Sequence, residues 1–267
     1  MNKNRFMNKY LLVLLFCVLG LVSCGDKNKI PTNEIHYTTI DNEVLPLENL
    51  LNFGEERIVS NSYVQDKNLY ILKFDKEVTQ IWEGAFYGCS NLTSISIPPS
   101  VMKIGRFAFR GCSNLTSISI PPSVTEIGRG AFYGCSRLTS IFIPSSVEGI
   151  GYRAFSACSS LTNIVVSREN KVYDSREDCN AVIHSDSNTL ICGCKNTIIP
   201  PSVTEIGEGA FFGCSSLTSI TIPPSVKEIG GSMFSGCSSL TEVRIPKGCN
   251  VDDYAFYYCP NVQIIRY

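Results

Sequence analysis

The chain has 267 residues, of which 44% are hydrophobic and 18% are charged, and its formal net charge at pH 7 is −1. This composition is typical of a globular protein with enough apolar material for a core, and it excludes a disordered polar tail. Because the chain also lacks a basic stripe of clustered Lys and Arg, which phosphate binding requires, we expect no nucleic-acid partner.

Residues 1–23 are predicted to be a signal peptide. Lys3, Arg5 and Lys9 give a positive start, and residues 11–22 form an apolar run. As a helix this run would reach roughly 18 Å, which is well short of the roughly 30 Å hydrocarbon core of a bilayer. The segment is therefore not expected to remain as a transmembrane span.

The apolar run ends in Leu21-Val22-Ser23-Cys24, which resembles the lipobox of bacterial lipoproteins. The resemblance implies that Cys24 is diacylated, that it becomes the mature N-terminus, and that the membrane is a partner through this lipid anchor. More than one acyl chain on a residue meets the two-signal requirement for stable anchoring. The alternative is an ordinary cleaved signal peptide with an incidental cysteine. Residues 24–34 are predicted to be a polar tether.

A sequence unit repeats with a period of 23 residues over much of the chain, and residues 127–144 show it most clearly. Each unit has a Phe three residues before a Cys. These pairs are Phe86–Cys89, Phe109–Cys112, Phe132–Cys135, Phe155–Cys158, Phe211–Cys214, Phe234–Cys237 and Phe256–Cys259. A unit this small cannot bury its apolar side without a neighbouring coil, so the fixed period predicts a stacked solenoid.

Within a unit, Ile141 and Ile143 share one face of a predicted short strand, and Pro144 ends that strand because it has no N–H to donate. The segment 130–135 is predicted to form a short helical or irregular turn. Apolar residues from Leu69 to Ile81 keep the same 23-residue offset, which predicts a degenerate first repeat. Residues 35–68 are predicted to form an N-terminal cap, and residues 69–267 the repeats.

The repeat is interrupted between Cys158 and Cys214, where the longer interval predicts an insertion of roughly ten residues in one coil. The enlarged coil spans residues 167–196. Its segment 181–192 places two short apolar runs around a polar Ser-Asp-Ser-Asn turn, which predicts a hairpin. Insertions in repeat proteins usually lie on one face, which is often the binding face.

The pattern A-F-x-x-C-x-x-L-x-x-I-x-I-P-x-x-V-x-x-I-G resembles the BspA-type leucine-rich repeat of bacterial surface proteins, over roughly residues 69–267. The resemblance implies a right-handed leucine-rich repeat solenoid with short parallel strands on one face and short helical or irregular turns on the other. It also implies exposure at the cell envelope and, in some members, adhesion to host matrix proteins or to other bacteria. A fold hosts sites rather than defining them, so the ligand does not transfer.

Thirteen cysteines are present, and eleven remain when Cys17 is removed with the signal peptide and Cys24 is assigned to lipid. An odd number cannot pair completely. Cysteines of successive coils should lie about 4.8 Å apart and point in parallel, whereas a disulfide needs Cβ atoms about 3.8 Å apart and a dihedral angle near 90°. We therefore expect buried thiols that act as small hydrophobic groups and weak donors toward turn carbonyls.

Catalytic and metal-binding alternatives find little support in the sequence. Only two histidines, His36 and His184, could serve a nucleophile. A zinc site at Cys179, His184, Cys192 and Cys194 lacks the usual spacing, and Asp174, Asp178 and Asp186 lack a calcium-binding loop. We expect neither an enzyme nor a metal or cofactor site.

The outward side of the strands is the predicted ligand-binding surface, because repeat solenoids bind through extended faces. The candidate residues are Ser94, Ser96, Ser117, Ser119, Ser140, Phe142, Asn163, Val165, Ser219 and Thr221. They form a ladder of small hydroxyls with an expected exposed pair at Phe142 and Val165, and the alternative is a merely soluble polar face.

The sequence thus predicts a non-catalytic envelope protein, lipid-anchored to the bacterial outer membrane, that binds a host extracellular-matrix protein, a glycan or a bacterial-surface partner. The alternative is a structural or scaffold lipoprotein without a host ligand. Lipid attachment alone does not decide between the cell surface and the periplasm.

Overall fold

The computed structural model describes residues 30–46, 50 and 53–267. The chain divides into two compact units, residues 1–31 and 32–267, and most of the first unit is outside the described ranges. The predicted signal peptide over 1–23, the predicted lipidation site Cys24 and the tether before residue 30 lie outside the described residues. Within those ranges no helix has the length and apolar character needed to cross a bilayer.

The second unit is a parallel β-solenoid of about eight coils with almost no helix, as the 23-residue period predicts. One short strand per coil forms the main face, which we call the strand face. Its strands are β5 (Leu92–Ser96), β7 (Ser117–Ser119), β9 (Ser140–Ile143), β11 (Asn163–Val166), β16 (Ser219–Thr221), β18 (Glu242–Ile245) and β20 (Gln263–Arg266). They pair in the repeat register within three separate sheets, β5 with β7, β9 with β11, and β16 with β18 and β20. Ile95 thus lies beside Ile118, and Ile220 beside Val243.

Strands of two residues form a second side of each coil. They are β4 (Gln80–Ile81), β6 (Lys103–Ile104), β8 (Glu126–Ile127), β10 (Gly149–Ile150), β15 (Glu205–Ile206), β17 (Glu228–Ile229) and β19 (Asn250–Val251). A glycine follows β8 because the coils approach closely there: a Cβ on Gly128 would lie 2.7 Å from the backbone nitrogen of Arg106. The absence of a side chain at this position lets the coils stack.

Phenylalanine rings of successive coils stack in two columns. The first column is Phe86, Phe109, Phe132 and Phe155, and the second is Phe211, Phe234 and Phe256. In the first column the ring centroids are 5.2 to 5.3 Å apart and the planes are within 5° of parallel. The core correspondingly forms two apolar clusters, which adjoin at the enlarged coil.

The N-terminal part of the second unit is antiparallel. It contains β1 (Glu34–Thr39), β2 (Ile58–Val64), a 3-10 turn at Gln65–Lys67 and β3 (Leu69–Phe74). β1 lies between β3 and β5, so the predicted degenerate first repeat differs from a regular coil, although β4 pairs with β6 as the period predicts. β1 fits this place because its alternate residues Ile35 and Tyr37 face the core. The cap over 35–68 stays a prediction.

The enlarged coil adds β12 (Tyr173–Asp174), a 3-10 turn at Arg176–Asp178, β13 (Val182–His184) and β14 (Thr189–Cys192). β13 and β14 form an antiparallel hairpin, as the apolar runs in 181–192 predict, and β14 then pairs in parallel with β15. The buried side chain of Asn170 donates to the carbonyls of Pro144 and Val147 at 2.8 and 2.9 Å. Its Oδ1 accepts from the N–H groups of Val172 and Tyr173. Asn170 thereby fixes the start of the enlarged coil to the coil before it.

Candidate functional site

Eight of the ten candidate ligand-binding residues lie on the neighbouring strands β5, β7, β9 and β11. Their cross-strand pairs are Ser94 with Ser117, Ser96 with Ser119, Ser140 with Asn163, and Phe142 with Val165. A backbone hydrogen bond of 3.4 Å from Thr139 to Thr116 connects the coils of β7 and β9. The structure therefore brings these eight residues together on one part of the strand face.

Hydroxyl groups on this part of the solenoid have two different roles. Thr116 and Thr162 each donate a side-chain hydrogen bond of 3.2 Å to a threonine carbonyl of the preceding coil. Four exposed serines make no hydrogen bond through their hydroxyls to any other described residue. They are Ser96, Ser117, Ser119 and Ser140. The threonines thus join the coils, while the serines are available to a ligand as donors and acceptors.

Ser94 differs from the other serines because β1 lies against it. Its Oγ is 2.6 Å from Oγ1 of Thr38, which also lies 2.8 Å from Oγ1 of Thr93. Ser94 is half-buried as a result. The repeat pattern could not indicate this contact, because β1 lies outside the period.

Phe142 and Val165 are half-buried rather than exposed as expected. Their neighbour Asn163 is also half-buried, and its Oδ1 is buried without a donor among the described residues. A buried acceptor without a partner is uncommon in folded proteins. Beside the exposed serines there is therefore a half-buried group, which consists of the apolar pair and this carbonyl oxygen.

Ser219 and Thr221 lie on β16, in a third sheet that is separate from those of β5–β7 and β9–β11. The segment 195–199 adjoins β16 without forming a strand, and a groove of about 550 Å³ lies between them. Ile198, which is 75% exposed, and Tyr267 also line it. We did not predict these two lining residues. The departure of Cys194 and Thr197 from the Leu and Ile of other coils is a signal that could have found this break.

The buried cysteines are structural. The thiols of Cys112, Cys135 and Cys158 donate to phenylalanine carbonyls of the preceding coil at 3.1 to 3.2 Å, as expected from the turn geometry. No disulfide joins any two of the eleven described cysteines. Burial raises the pKa of Cys89 to about 11 and that of Cys214 to about 12, so both are protonated thiols near neutral pH.

Polar residues of the enlarged coil hold its hairpin. Arg176 donates to both carboxylate oxygens of Asp174, at 2.8 and 2.6 Å. Burial opposes ionisation of Asp174, but hydrogen bonds from Arg176 outweigh it and lower the pKa of the carboxyl. His184 Nδ1 lies 3.1 Å from Ser187 Oγ, and its ring meets Tyr173 edge-on. Among the described residues, no three His, Cys, Asp or Glu side chains are placed to hold a metal ion.

Comparison with solved structures finds other bacterial repeat proteins. The pneumococcal vaccine antigen PcpA has a TM-score of 0.52 and 18% identity, over 70% of this chain and 60% of the antigen, which indicates a shared fold. A leucine rich cell surface protein from Faecalibacterium prausnitzii has 28% identity and a TM-score of 0.49, over 72% of this chain and 64% of that protein. The T. pallidum leucine rich repeat protein has 31% identity and a TM-score of 0.39, over 66% of this chain and 68% of that protein.

The alignments span less than two thirds of the length of the antigen and of the F. prausnitzii protein. No curated protein matches this chain. The family model for the BspA type leucine rich repeat region matches six copies, over residues 56–179 and 187–267, which together exceed half of the chain. With the 23-residue coils and their stacked Phe and Cys columns, this match shows that the chain belongs to the BspA-type leucine-rich repeat family.

Proposed function

We propose that this protein is a non-catalytic binding protein of the bacterial cell envelope, and that it recognises a protein or a glycan through the strand face. The observation that carries the proposal is the row of exposed serines on β5, β7 and β9 whose hydroxyls bond to no described residue. Each hydroxyl offers one donor and two acceptor positions to a ligand. The half-buried ring of Phe142 beside them adds apolar area.

The location at the envelope is supported by family membership and by similarity to a protein described as a leucine rich cell surface protein. Host extracellular-matrix proteins, glycans and bacterial-surface proteins are the ligand classes that we propose. An extended and rigid repeat surface suits such large ligands, because it offers many weak contacts without reordering the chain.

Ligand binding is tested with the combined substitution Ser117→Ala, Ser119→Ala and Phe142→Ala in the full-length protein. An array of host-matrix proteins, mucins and bacterial-surface proteins is expected to contain a binding member, and the variant is expected to bind it at least about tenfold more weakly. In the control Thr125→Ala, the hydroxyl that is removed lies beside β8, away from the strand face, and donates to the Met102 carbonyl. This control should leave binding unchanged. An array without any bound member, or equal binding by the triple variant, contradicts the proposal. Pull-downs that return only envelope proteins would favour the scaffold role instead.

We also propose that Cys24 carries the lipid that anchors the chain to the outer membrane. The charged start, the apolar run and the small residue before this cysteine support the assignment. Metabolic labelling with a fatty-acid analogue should label the wild-type protein and not Cys24→Ala. Protease treatment of intact cells then distinguishes the cell surface, where the repeats are cleaved, from the periplasm, where they are protected and host adhesion fails.

A further inference from the structure

Four arginines lie over aromatic rings in the irregular turns that precede the cysteine of each coil. The Cζ atom of Arg110 lies 5.0 Å from the ring centroid of Tyr133, 5.2 Å from that of Phe107 and 5.6 Å from that of Tyr87. Arg106 lies 5.8 Å from the Phe107 ring. A guanidinium positioned over a ring is attracted by the ring's negative face, and the N–H groups that the ring does not cover can still donate hydrogen bonds.

The stacks continue into the next coils. Arg153 lies 3.9 Å from the ring centroid of Phe212 and 4.9 Å from that of Tyr152, and Arg129 lies 5.4 Å from the latter. The rings of Tyr133 and Phe212, 6.3 Å apart, join the two groups into one patch. We call the four arginines and these five rings the arginine–aromatic surface.

The positive charge of this surface is not neutralised within the protein. No described carboxylate lies within 4.0 Å of Arg106, Arg110, Arg129 or Arg153, and their guanidinium groups donate no hydrogen bond to any described residue. Glu208 is nearby, but it accepts a hydrogen bond of 2.8 Å from the Tyr152 hydroxyl. Glu83 occupies the repeat position of Arg106 in the preceding coil. Four cations against two carboxylates leave a basic surface on a chain whose net charge is −1.

Backbone conformation gives a second, independent indication that the arginine–aromatic surface is functional. Phe107 and Arg153 have positive φ angles of 55° and 56°, at the repeat position where Gly84, Gly130 and Gly209 stand in other coils. Bulky residues rarely adopt this left-handed region, because their Cβ crowds the following carbonyl. Both side chains are only half-buried, so core packing does not explain their presence. Strained residues of this kind cluster at functional sites.

Glycine and a large residue alternate at this repeat position, and this alternation shapes the surface. A Cβ on Gly130 would lie 2.6 Å from the Phe107 ring, and one on Gly209 would lie 2.8 Å from Nε of Arg153. Each large side chain therefore lies across the bare glycine of the next coil in space. The Phe107 ring and the Arg153 side chain thereby occupy space that a side chain on the neighbouring coil would otherwise fill.

We propose that the arginine–aromatic surface docks an acidic patch of a partner protein. Arg and Tyr dominate the energetic centres of protein–protein interfaces, and a flat guanidinium edge binds a carboxylate through two parallel hydrogen bonds. Arg106 and Arg129 share one repeat position, whereas Arg110 and Arg153 occupy two others, so the cations spread in two dimensions. Such a spread fits carboxylates carried on the side chains of a protein or peptide better than the single row of fixed charges on an acidic polysaccharide. This surface lies apart from the strand face, so either proposal can fail alone.

The test uses the purified full-length protein in detergent and a displayed random-peptide library as the probe. Selected peptides are expected to be enriched in Asp and Glu. Replacing Arg106, Arg110, Arg129 and Arg153 together by Ala should weaken binding of the selected peptides at least about tenfold. Raising NaCl from about 0.05 M to about 0.5 M should weaken wild-type binding as well.

The matched control replaces four lysines elsewhere, Lys171, Lys195, Lys227 and Lys247, by Ala, so that the net charge changes equally. This control should alter binding of the selected peptides less than about twofold, because salt screens exposed charges that lie more than a Debye length from the arginine–aromatic surface. The inference is overturned by selected peptides that are not acidic, or by equal loss in both variants. It is also overturned if heparin or polygalacturonate binds the wild-type surface as tightly as the selected peptides, since the surface would then serve a polysaccharide.

Discussion

The regular coils from Phe86 to Val166 and the enlarged coil over 167–196 hold their neighbours in place by different means. In the regular coils the same apolar groups recur, with rings 5.2 to 5.3 Å apart and a thiol-to-carbonyl hydrogen bond at each step. In the enlarged coil single polar groups take this role: Asn170 bonds to the preceding coil, and the Asp174–Arg176 pair holds the hairpin. Repetition satisfies the backbone through neighbouring coils, whereas an irregular segment needs side chains to satisfy its buried backbone groups.

Removing one ring from the Phe column should have the largest effect. Phe132→Ala deletes a fully buried ring that stacks on both sides, and we expect the free energy of unfolding to fall by about 3–5 kcal/mol. Urea unfolding followed by circular dichroism measures this change. Phe256→Ala is the control, because that ring is half-buried and stacks only on Phe234 among the described rings, so its loss should cost clearly less. Equal losses would show that stacking between coils does not carry the stability.

Replacing Asn170 of the enlarged coil by the valine of the regular repeat should destabilise the protein. Asn170→Val inserts the residue that Val124 and Val147 represent in earlier coils, but it leaves buried carbonyls and N–H groups without partners. We expect a loss of about 2–3 kcal/mol in the free energy of unfolding. The reciprocal change Val124→Asn should also destabilise the protein, since the regular coil has no such groups to pair. A stabilising effect of Asn170→Val would mean that packing at this position outweighs its hydrogen bonds.

Alkaline pH should reveal the buried thiols at the junction of the two regions. Burial raises the pKa of Cys214 from 9.0 to about 12, so above pH 9 the thiol ionises in the unfolded chain while it stays protonated in the folded one. The contribution of the protonated thiol to the free energy of unfolding is therefore complete below pH 9 and is lost as the pH rises toward 12. Between about pH 9 and 11, Cys214→Ala should reduce the fall of stability with pH by about 1.4 kcal/mol per pH unit. Chemical unfolding at several pH values measures the slope, and Ser215→Ala should leave it unchanged. An unaltered slope in Cys214→Ala would contradict a neutral buried thiol.

The repeat period predicted the coils and the Phe and Cys columns, because each depends on contacts between residues 23 positions apart. The hairpin was predicted separately, from the polar turn between two apolar runs in 181–192. It could not predict that β1 enters the sheet beside β5, since this antiparallel pairing joins Tyr37 to Ile95 across a segment without the period. The covered hydroxyl of Ser94 follows from that pairing. The half-burial of Phe142 was missed because strand alternation gives direction and not depth.

The arginine–aromatic surface was also absent from the sequence-based prediction, although a signal for it is present. Gly84, Phe107, Gly130 and Arg153 alternate at one repeat position, and this alternation becomes meaningful once the backbone there is known to be left-handed. A consensus that records the position as variable hides the strain at the two bulky residues. The contact between Arg153 and the Phe212 ring of another coil likewise depends on the fold rather than on local spacing.

The smallest change in stability is expected where the two bulky residues replace glycine. Arg153→Gly loses the stack on Phe212, which contributes about 0.5–1 kcal/mol, but it removes a left-handed non-glycine residue that costs about 1–2 kcal/mol. The added flexibility of glycine in the unfolded chain offsets part of that gain, so the free energy of unfolding should change by less than about 0.5 kcal/mol. Arg153→Ala is the informative control, because it loses the stack and keeps the strained backbone. We expect it to be less stable than Arg153→Gly by about 1 kcal/mol in urea unfolding. If both variants instead lose the same stability, the arginine supports the solenoid, and its place on the surface needs no binding partner to explain it.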